Sequence, residues 1–220
     1  MSYNLHENMV ISLIKFIVII LLSLITLTQT YIVYADNESK GSNIDNKEIE
    51  KAVFAGGCFW CMQNPYDELK GVVSTAVGYT GGNKDNPTYE EVCSGNTGHA
   101  EAIEVLYDPL QISYTELLNV FWRNIDPTTL NRQFADAGTQ YRTAIFYHNE
   151  EQKQSAESSK REMEQSGIHD DSIVTEITPA STFYKAEDYH QKYYEKCPLK
   201  YKMYKSGSGR EQYLEDMWGN

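Results

Sequence analysis

Residues 51–79, KAVFAGGCFWCMQNPYDELKGVVSTAVGY, pass from an apolar strand through a glycine turn and a helix into a second strand, and this order decides the fold. Residues 51–55 are short and apolar and stop at Gly56-Gly57. Residues 59–70 have the character of a helix, with a bend predicted at Pro65 and a stop at Gly71. Residues 72–79 alternate and are bounded by Gly81-Gly82, as a strand should be. Beyond them, residues 83–98 form a Gly/Asn/Pro-punctuated loop, long enough by the usual loop lengths to carry function. Residues 101–107 are the next strand, and residues 113–124 an amphipathic helix opened by a Ser113/Glu116 capping box. A strand over 141–147, a charged helix over 149–166 closed by Gly167, and a final strand over 173–177 complete the pattern. The order β-α-β-β-α-β with an added helix and strand predicts an α+β two-layer sandwich with a ferredoxin-like, split βαβ core.

Composition narrows the function. The chain has 220 residues with 19 Lys+Arg against 31 Asp+Glu, a formal net charge of −12. That charge argues against nucleic-acid binding, which needs a cationic face. With 41% hydrophobic and 23% charged residues, a disordered or collagen-like chain is excluded too. The uncharged run FIVIILLSLITL at residues 16–27 is short for a membrane span and suits the apolar core of a secretory signal. Cleavage is expected after Ala35, where Val33 and Ala35 occupy the small-residue places; the alternative is an uncleaved membrane anchor. Residues 1–35 are therefore expected to be a signal peptide or anchor, 36–50 a solvated polar linker and 51–220 the catalytic domain, with the mature protein exported to the cell envelope or beyond.

Four cysteines in so long a chain are too few for a disulfide scaffold, so each is asked for chemistry first. Cys58 follows Gly56-Gly57 and precedes the helix, which would set its sulfur beside unpaired backbone N–H groups and favour the thiolate. A strand-to-helix turn is a setting used for nucleophiles, whereas an isolated buried cysteine is a small hydrophobe. Cys61 completes a Cys-x-x-Cys, a spacing shared by thiol redox enzymes and metal sites; Cys93, Cys197, His99 and His190 supply no second paired spacing for zinc. Phe59 and Trp60 suit either core packing or an apolar pocket for a substrate alkyl group. Glu101 opens an otherwise apolar strand, and reads as a solvated strand end or, if buried beside the thiol, as a carboxyl kept protonated for proton donation. Asp136, Tyr89 and Tyr141 are weaker signals, although tyrosine hydroxyls can donate to a polar oxygen.

Taken together, Gly57-Cys58-Phe59-Trp60, Gly78-Tyr79-Thr80-Gly81-Gly82, Asn86-Pro87-Thr88-Tyr89, Val92-Cys93-Ser94-Gly95, Thr97-Gly98-His99-Ala100-Glu101, Gly138-Thr139-Gln140-Tyr141-Arg142 and Tyr189-His190-Gln191 resemble the class A peptide methionine sulfoxide reductases. The resemblance runs from about residue 51 to 218. It implies thiol-dependent reduction of the S epimer of methionine sulfoxide, free or in proteins, and so repair of oxidised proteins. Cys58 would be the nucleophile, left as a sulfenic acid; Phe59 and Trp60 would hold the substrate methyl. Glu101 would protonate the sulfoxide oxygen, with Tyr89, Asp136 and Tyr141 as the polar groups around it. The family's glycine-rich tail with recycling cysteines is missing from residues 205–220, which leaves Cys61, preferred for its proximity, or Cys197 to resolve the sulfenic acid. Cys93 is expected to be structural. The resemblance further implies no bound cofactor or metal, a thioredoxin-like dithiol as external reductant, and, as no second R-specific reductase domain is expected here, one epimer only. A thiol-disulfide oxidoreductase using the Cys58/Cys61 pair, or an exported binding module with metal-bridged cysteines, would explain the cysteines but not Glu101 and the tyrosine motifs.

Overall fold

In a computed structural model, which describes residues 48–219, the strand β1 (Glu50–Gly56) sets the layers by its alternation. Ala52 and Phe54 point to one face of the sheet and Val53 and Ala55 to the other, and all four are buried. The chain continues through α1 (Phe59–Asp67), β2 (Val72–Thr80), α2 (Tyr89–Cys93), β3 (Ala100–Tyr107) and α3 (Tyr114–Trp122). A two-residue hairpin pair, β4 (Arg132–Gln133) and β5 (Asp136–Ala137), leads to β6 (Thr143–Tyr147), α4 (Glu150–Gln165) and β7 (Glu176–Pro179). The C-terminal part adds β8 (Tyr184–Lys185), α5 (Tyr193–Lys196), α6 (Pro198–Gly207) and α7 (Arg210–Trp218).

The main sheet has the order β7-β6-β1-β3-β2-β8. Its centre, β6-β1-β3-β2, is antiparallel throughout, with β3 inserted between β1 and β2. That is the split βαβ arrangement the sequence order predicts. Helices α1, α3 and α4 cover one face. Phe54 stacks there between Tyr66 of α1 (ring centroids 5.6 Å) and Phe121 of α3 (5.4 Å), with Ile103, Val105, Trp122 and Ile145 closing the core. Burying such a side chain is worth roughly 1.5–3 kcal/mol. Two of the large rings have satisfied polar tips: the Tyr66 hydroxyl donates to the Leu117 carbonyl at 3.2 Å and Trp122 Nε1 to Ser159 Oγ at 3.1 Å.

Several elements depart from their expected extent. The Ser113/Glu116 capping box forms as expected. Helix α1 stops at Asp67 rather than residue 70, because Leu69 N–H turns back to the Tyr66 carbonyl and opens the turn into β2. The expected loop over 83–98 contains α2, started by a Thr88/Glu91 capping box that lay unread in the sequence. Residues 139–141 make a tight 3₁₀ turn, so β6 begins only at Thr143. The last expected strand lies a little later, at Glu176–Pro179, parallel to β6. Glu50, assigned to the linker, belongs to β1, where it pairs with Tyr107 and accepts that residue's hydroxyl proton at 2.6 Å. The expected tail over 205–220 is largely helical. The signal or anchor expected in residues 1–35 lies outside the described residues, as does most of the linker.

Candidate active site

The same alternation that packs Ile103 and Val105 of β3 against the helices puts Glu101 on the helix-facing side of the sheet, next to the turn between β1 and α1. The strand end thus becomes a buried carboxyl, 2% exposed. Glu101 Oε2 accepts the Phe59 backbone N–H at 3.0 Å. Burial, reinforced by Asp136, pushes its acid up to about 8, against the partial opposition of that hydrogen bond. The carboxyl is therefore mostly protonated at neutral pH.

Cys58 caps α1 and is itself buried. Its pKa runs opposite to the expectation drawn from its place at a helix start. Burial raises the thiol well above its ordinary value, and hydrogen bonding to Cys61 and the nearby Glu101 add to the rise. Burial outweighs the pull of the helix end, whose first amide, Phe59 N–H, is directed to Glu101 Oε2. One group opposes the rise, the Tyr204 hydroxyl of α6, which lies in hydrogen-bonding contact with Cys58 and also donates to Asp136 Oδ2. Cys61, one turn on, is lowered to about 7, chiefly by its hydrogen bond with Cys58 and then by Arg210 and Lys205, against its own burial. The hydrogen bond between the two thiols pushes them in opposite directions, Cys58 up and Cys61 down. All four cysteines are free thiols.

The turn that carries Cys58 requires glycine. Gly57 has φ +79°, and a Cβ there would lie 2.4 Å from the Gln133 side chain.

Aromatic rings enclose the approach to the sulfur. Phe59 is buried and lies 5.0 Å, ring to ring, from His190. Trp60 is partly exposed, stacked on Tyr193 at 3.9 Å and edge-on to Tyr204 at 5.8 Å. Its Nε1 donates to His190 Nδ1 at 3.0 Å, which leaves the imidazole proton on Nε2. His190 is buried and its pKa is lowered by desolvation, so it is neutral. Tyr89 lies 4.4 Å from the same ring, and its backbone N–H is fixed by Glu187 Oε1 at 2.9 Å. The Tyr89 and Tyr141 hydroxyls are raised by burial, and Glu101 acts on both, so they stay protonated donors.

The structure thus brings Cys58, Cys61, Glu101, Tyr89, Asp136, Tyr141, Phe59 and Trp60 into one neighbourhood. Cys93 is close by, hydrogen-bonded to Tyr89 from the end of α2. Cys197 lies at the joint of α5 and α6 against Tyr193, the ring that stacks on Trp60. Reasoning from sequence did not assign His190, Tyr193, Tyr204 and Arg210 to the site. Arg210 opens α7 from a buried position, donating to the Gly56 carbonyl at 2.8 Å and the Asn124 carbonyl at 2.5 Å, with its guanidinium over the Phe134 ring. The signal that could have found these groups is weak: aromatic and basic residues in a segment without strong apolar periodicity. Among the described residues, no group of three or more His, Cys, Asp or Glu is placed to hold a metal ion.

A protonated carboxyl beside a paired thiol, faced by tyrosine hydroxyls and walled by aromatic rings, can deliver a proton to an oxygen while sulfur attacks the atom bearing it. Comparison with known proteins agrees with that chemistry. Residues 50–220 match the family described as peptide methionine sulfoxide reductase. The chain is 53% identical to the peptide methionine sulfoxide reductase MsrA of Bacillus subtilis over 175 residues, which cover 80% of this chain and 98% of that protein. It is 59% identical over 148 residues to the MsrA of Methanosarcina acetivorans, covering 67% and 79% of the two chains. Among solved structures, reduced Mxr1 of Saccharomyces cerevisiae superposes with a TM-score of 0.65 at 37% identity, over 69% of this chain and 87% of that one. Methionine sulfoxide reductase A of Corynebacterium diphtheriae gives 0.62 at 39% identity, over 69% and 76%.

Proposed function

Because this chain belongs to the peptide methionine sulfoxide reductase family, we propose that its buried Cys58–Glu101 site reduces the S epimer of methionine sulfoxide by thiol attack with coupled protonation. The chain is an oxidoreductase acting on methionine sulfoxide. Cys58 attacks the sulfoxide sulfur, and its proton passes to the hydrogen-bonded Cys61 thiolate. Glu101 gives its proton to the sulfoxide oxygen, with Tyr89, Tyr141 and the Asp136–Tyr204 pair supplying the surrounding polar groups. The substrate methyl packs against Phe59 and Trp60. Methionine leaves, and the oxygen stays on Cys58 as a sulfenic acid. Cys61 then attacks that sulfur, releasing water and forming a Cys58–Cys61 disulfide, which an external dithiol of the thioredoxin type reduces.

The observation that carries this reading is the buried Glu101 carboxyl, pushed up to about 8 and tied to the first amide of the helix that Cys58 caps. An acid in that state is loaded at neutral pH where a poor leaving oxygen needs it. Preference for Cys61 over Cys197 rests on its hydrogen bond to Cys58 within one helical turn. Export by way of residues 1–35 remains part of the proposal, and N-terminal sequencing of the secreted protein tests it.

An epimer-resolved turnover assay with a small dithiol tests the reaction. Consumption of the S-sulfoxide alone, abolished in Cys58→Ser, supports it; loss of neither epimer refutes it. Mass spectrometry of protein oxidised by one equivalent of substrate tests the resolving step, where a Cys58–Cys197 linkage as the main product would sink the Cys61 assignment.

A further inference from the structure

A groove of about 730 Å³ lies against the loop between α2 and β3, within the volume range of ligand sites. Asn83, Asn96, Asn131, Thr97 and Thr139 line it, with Gly95 and Gly98 contributing bare main chain. No large apolar side chain reaches it. Its charged rim residues are paired: Lys84 with Glu91 at 3.2 Å and Arg142 with Glu176 at 3.3 Å. What the groove offers is neutral hydrogen-bonding capacity.

Much of that capacity is unused. No hydrogen bond engages the carboxamides of Asn83 or Asn131 among the described residues, and Asn96 reaches only its neighbour Ser94, at 3.4 Å. Behind the groove lining, beneath Gly95, the side-chain oxygen Oε1 of Gln140 is buried without a partner. A Cβ on Gly95 would stand 3.9 Å from it. The walls are held in place: Asn83 N–H donates to the Thr97 carbonyl at 3.0 Å, and His99 ties Gly82 N–H and the Lys84 carbonyl together. Gln140 Nε2 donates to the Cys93 carbonyl at 3.3 Å, joining the end of α2 to the 3₁₀ turn.

Three of the lining segments lead directly to polar groups assigned to the sulfoxide. Gly95 and Asn96 follow the helix begun by Tyr89; Asn131 precedes the hairpin that carries Asp136; Thr139 is two residues from Tyr141. We propose that this groove binds the main chain of a polypeptide substrate on one side of its oxidised methionine, through uncharged amide contacts that do not depend on the flanking side chains. The proposal rests on the methionine sulfoxide reading above and extends it to how a peptidyl substrate is told from the free amino acid. An extended strand presents alternating N–H and C=O groups, and a row of carboxamides with glycine floor can meet both.

The test compares kcat/KM for a blocked hexapeptide containing methionine S-sulfoxide with that for free methionine S-sulfoxide. In the double variant Asn83→Ala/Asn131→Gly the peptide-to-free ratio should fall at least fivefold. Glycine at 131 keeps the left-handed backbone, φ +51°, that asparagine adopts there. An unchanged ratio overturns the proposal, while loss of turnover on both substrates in the wild type overturns the underlying reaction instead. A second measurement uses the unaltered full-length protein: hexapeptides N-methylated at successive backbone positions on either side of the sulfoxide should lose at least fivefold in kcat/KM on one side only. Equal rates for methylated and unmethylated peptides would also overturn it.

Discussion

Replacing Glu101 with glutamine separates its acid role from its burial. With its acid at about 8, roughly nine in ten Glu101 side chains carry a proton at pH 7, against fewer than about one in a hundred for an ordinary glutamate. Glutamine keeps the shape and an acceptor for the Phe59 N–H but has no acidic proton. The single-turnover rate of methionine formation should fall about 10²- to 10⁴-fold at pH 7. The loss should shrink at pH 5.5, where solvent supplies protons. Stability should move the other way. A carboxyl raised from 4.5 to about 8 binds a proton in the folded state that the unfolded chain has released. That contribution is harmless below the unfolded pKa and costs stability as pH rises toward 8, approaching about 5 kcal/mol above it. Glu101→Gln removes the cost, so denaturant unfolding at pH 5 and pH 8.5 should show the wild type losing several kcal/mol more than the variant across that interval. Parallel stability curves, or equal loss of rate at both pH values, would refute a buried, protonated acid.

Three further perturbations have defined outcomes. Tyr204→Phe removes the hydroxyl shared by Asp136 and Cys58, a charge-assisted contact worth about 1.5–3 kcal/mol, and should slow the first turnover roughly 10- to 100-fold in stopped-flow assays with the fold intact by circular dichroism. Arg210→Gln leaves the Gly56 and Asn124 carbonyls short of a cationic donor; unfolding should need about 3 kcal/mol less, and the thiolate absorbance midpoint of Cys61 should rise from about 7. Gly57→Ala forces a methyl to within 2.4 Å of the Gln133 side chain at φ +79°, and should cost at least about 3 kcal/mol in chemical denaturation, with activity lost in proportion to misplacement of Cys58.

The helices at the C-terminal end are fastened to α1 by contacts spread along its length: Lys192 N–H to Gln63 Oε1 at 2.7 Å, the Tyr194 hydroxyl to Asp67 at 2.6 Å, and the Trp60 stack on Tyr193. Beyond them, Tyr204 of α6 meets Cys58 and Arg210 of α7 acts on Cys61.

Local chemistry in the chain determined the strands, the helices and their order. Period-two apolar runs, glycine stops and the Ser113/Glu116 capping box act within a few residues of themselves, so β1, β2, β3, α3 and the split βαβ order were legible, and Cys58 stood out at a strand-to-helix turn. The Thr88/Glu91 box was equally local, and a closer reading of the punctuated loop would have found α2. Tertiary structure alone decided the rest, because it depends on which distant segments meet. Phe59 and Glu101 are 42 positions apart, Trp60 and His190 are 130, and Gly56 and Arg210 are 154. Burial of Glu101, which turns a strand-end carboxylate into an acid loaded at neutral pH, exists only once β3 is covered by α1. The rise of the Cys58 thiol has the same origin: burial under the packed elements outweighs the pull of the helix end, whose first amide is directed to Glu101 from another strand.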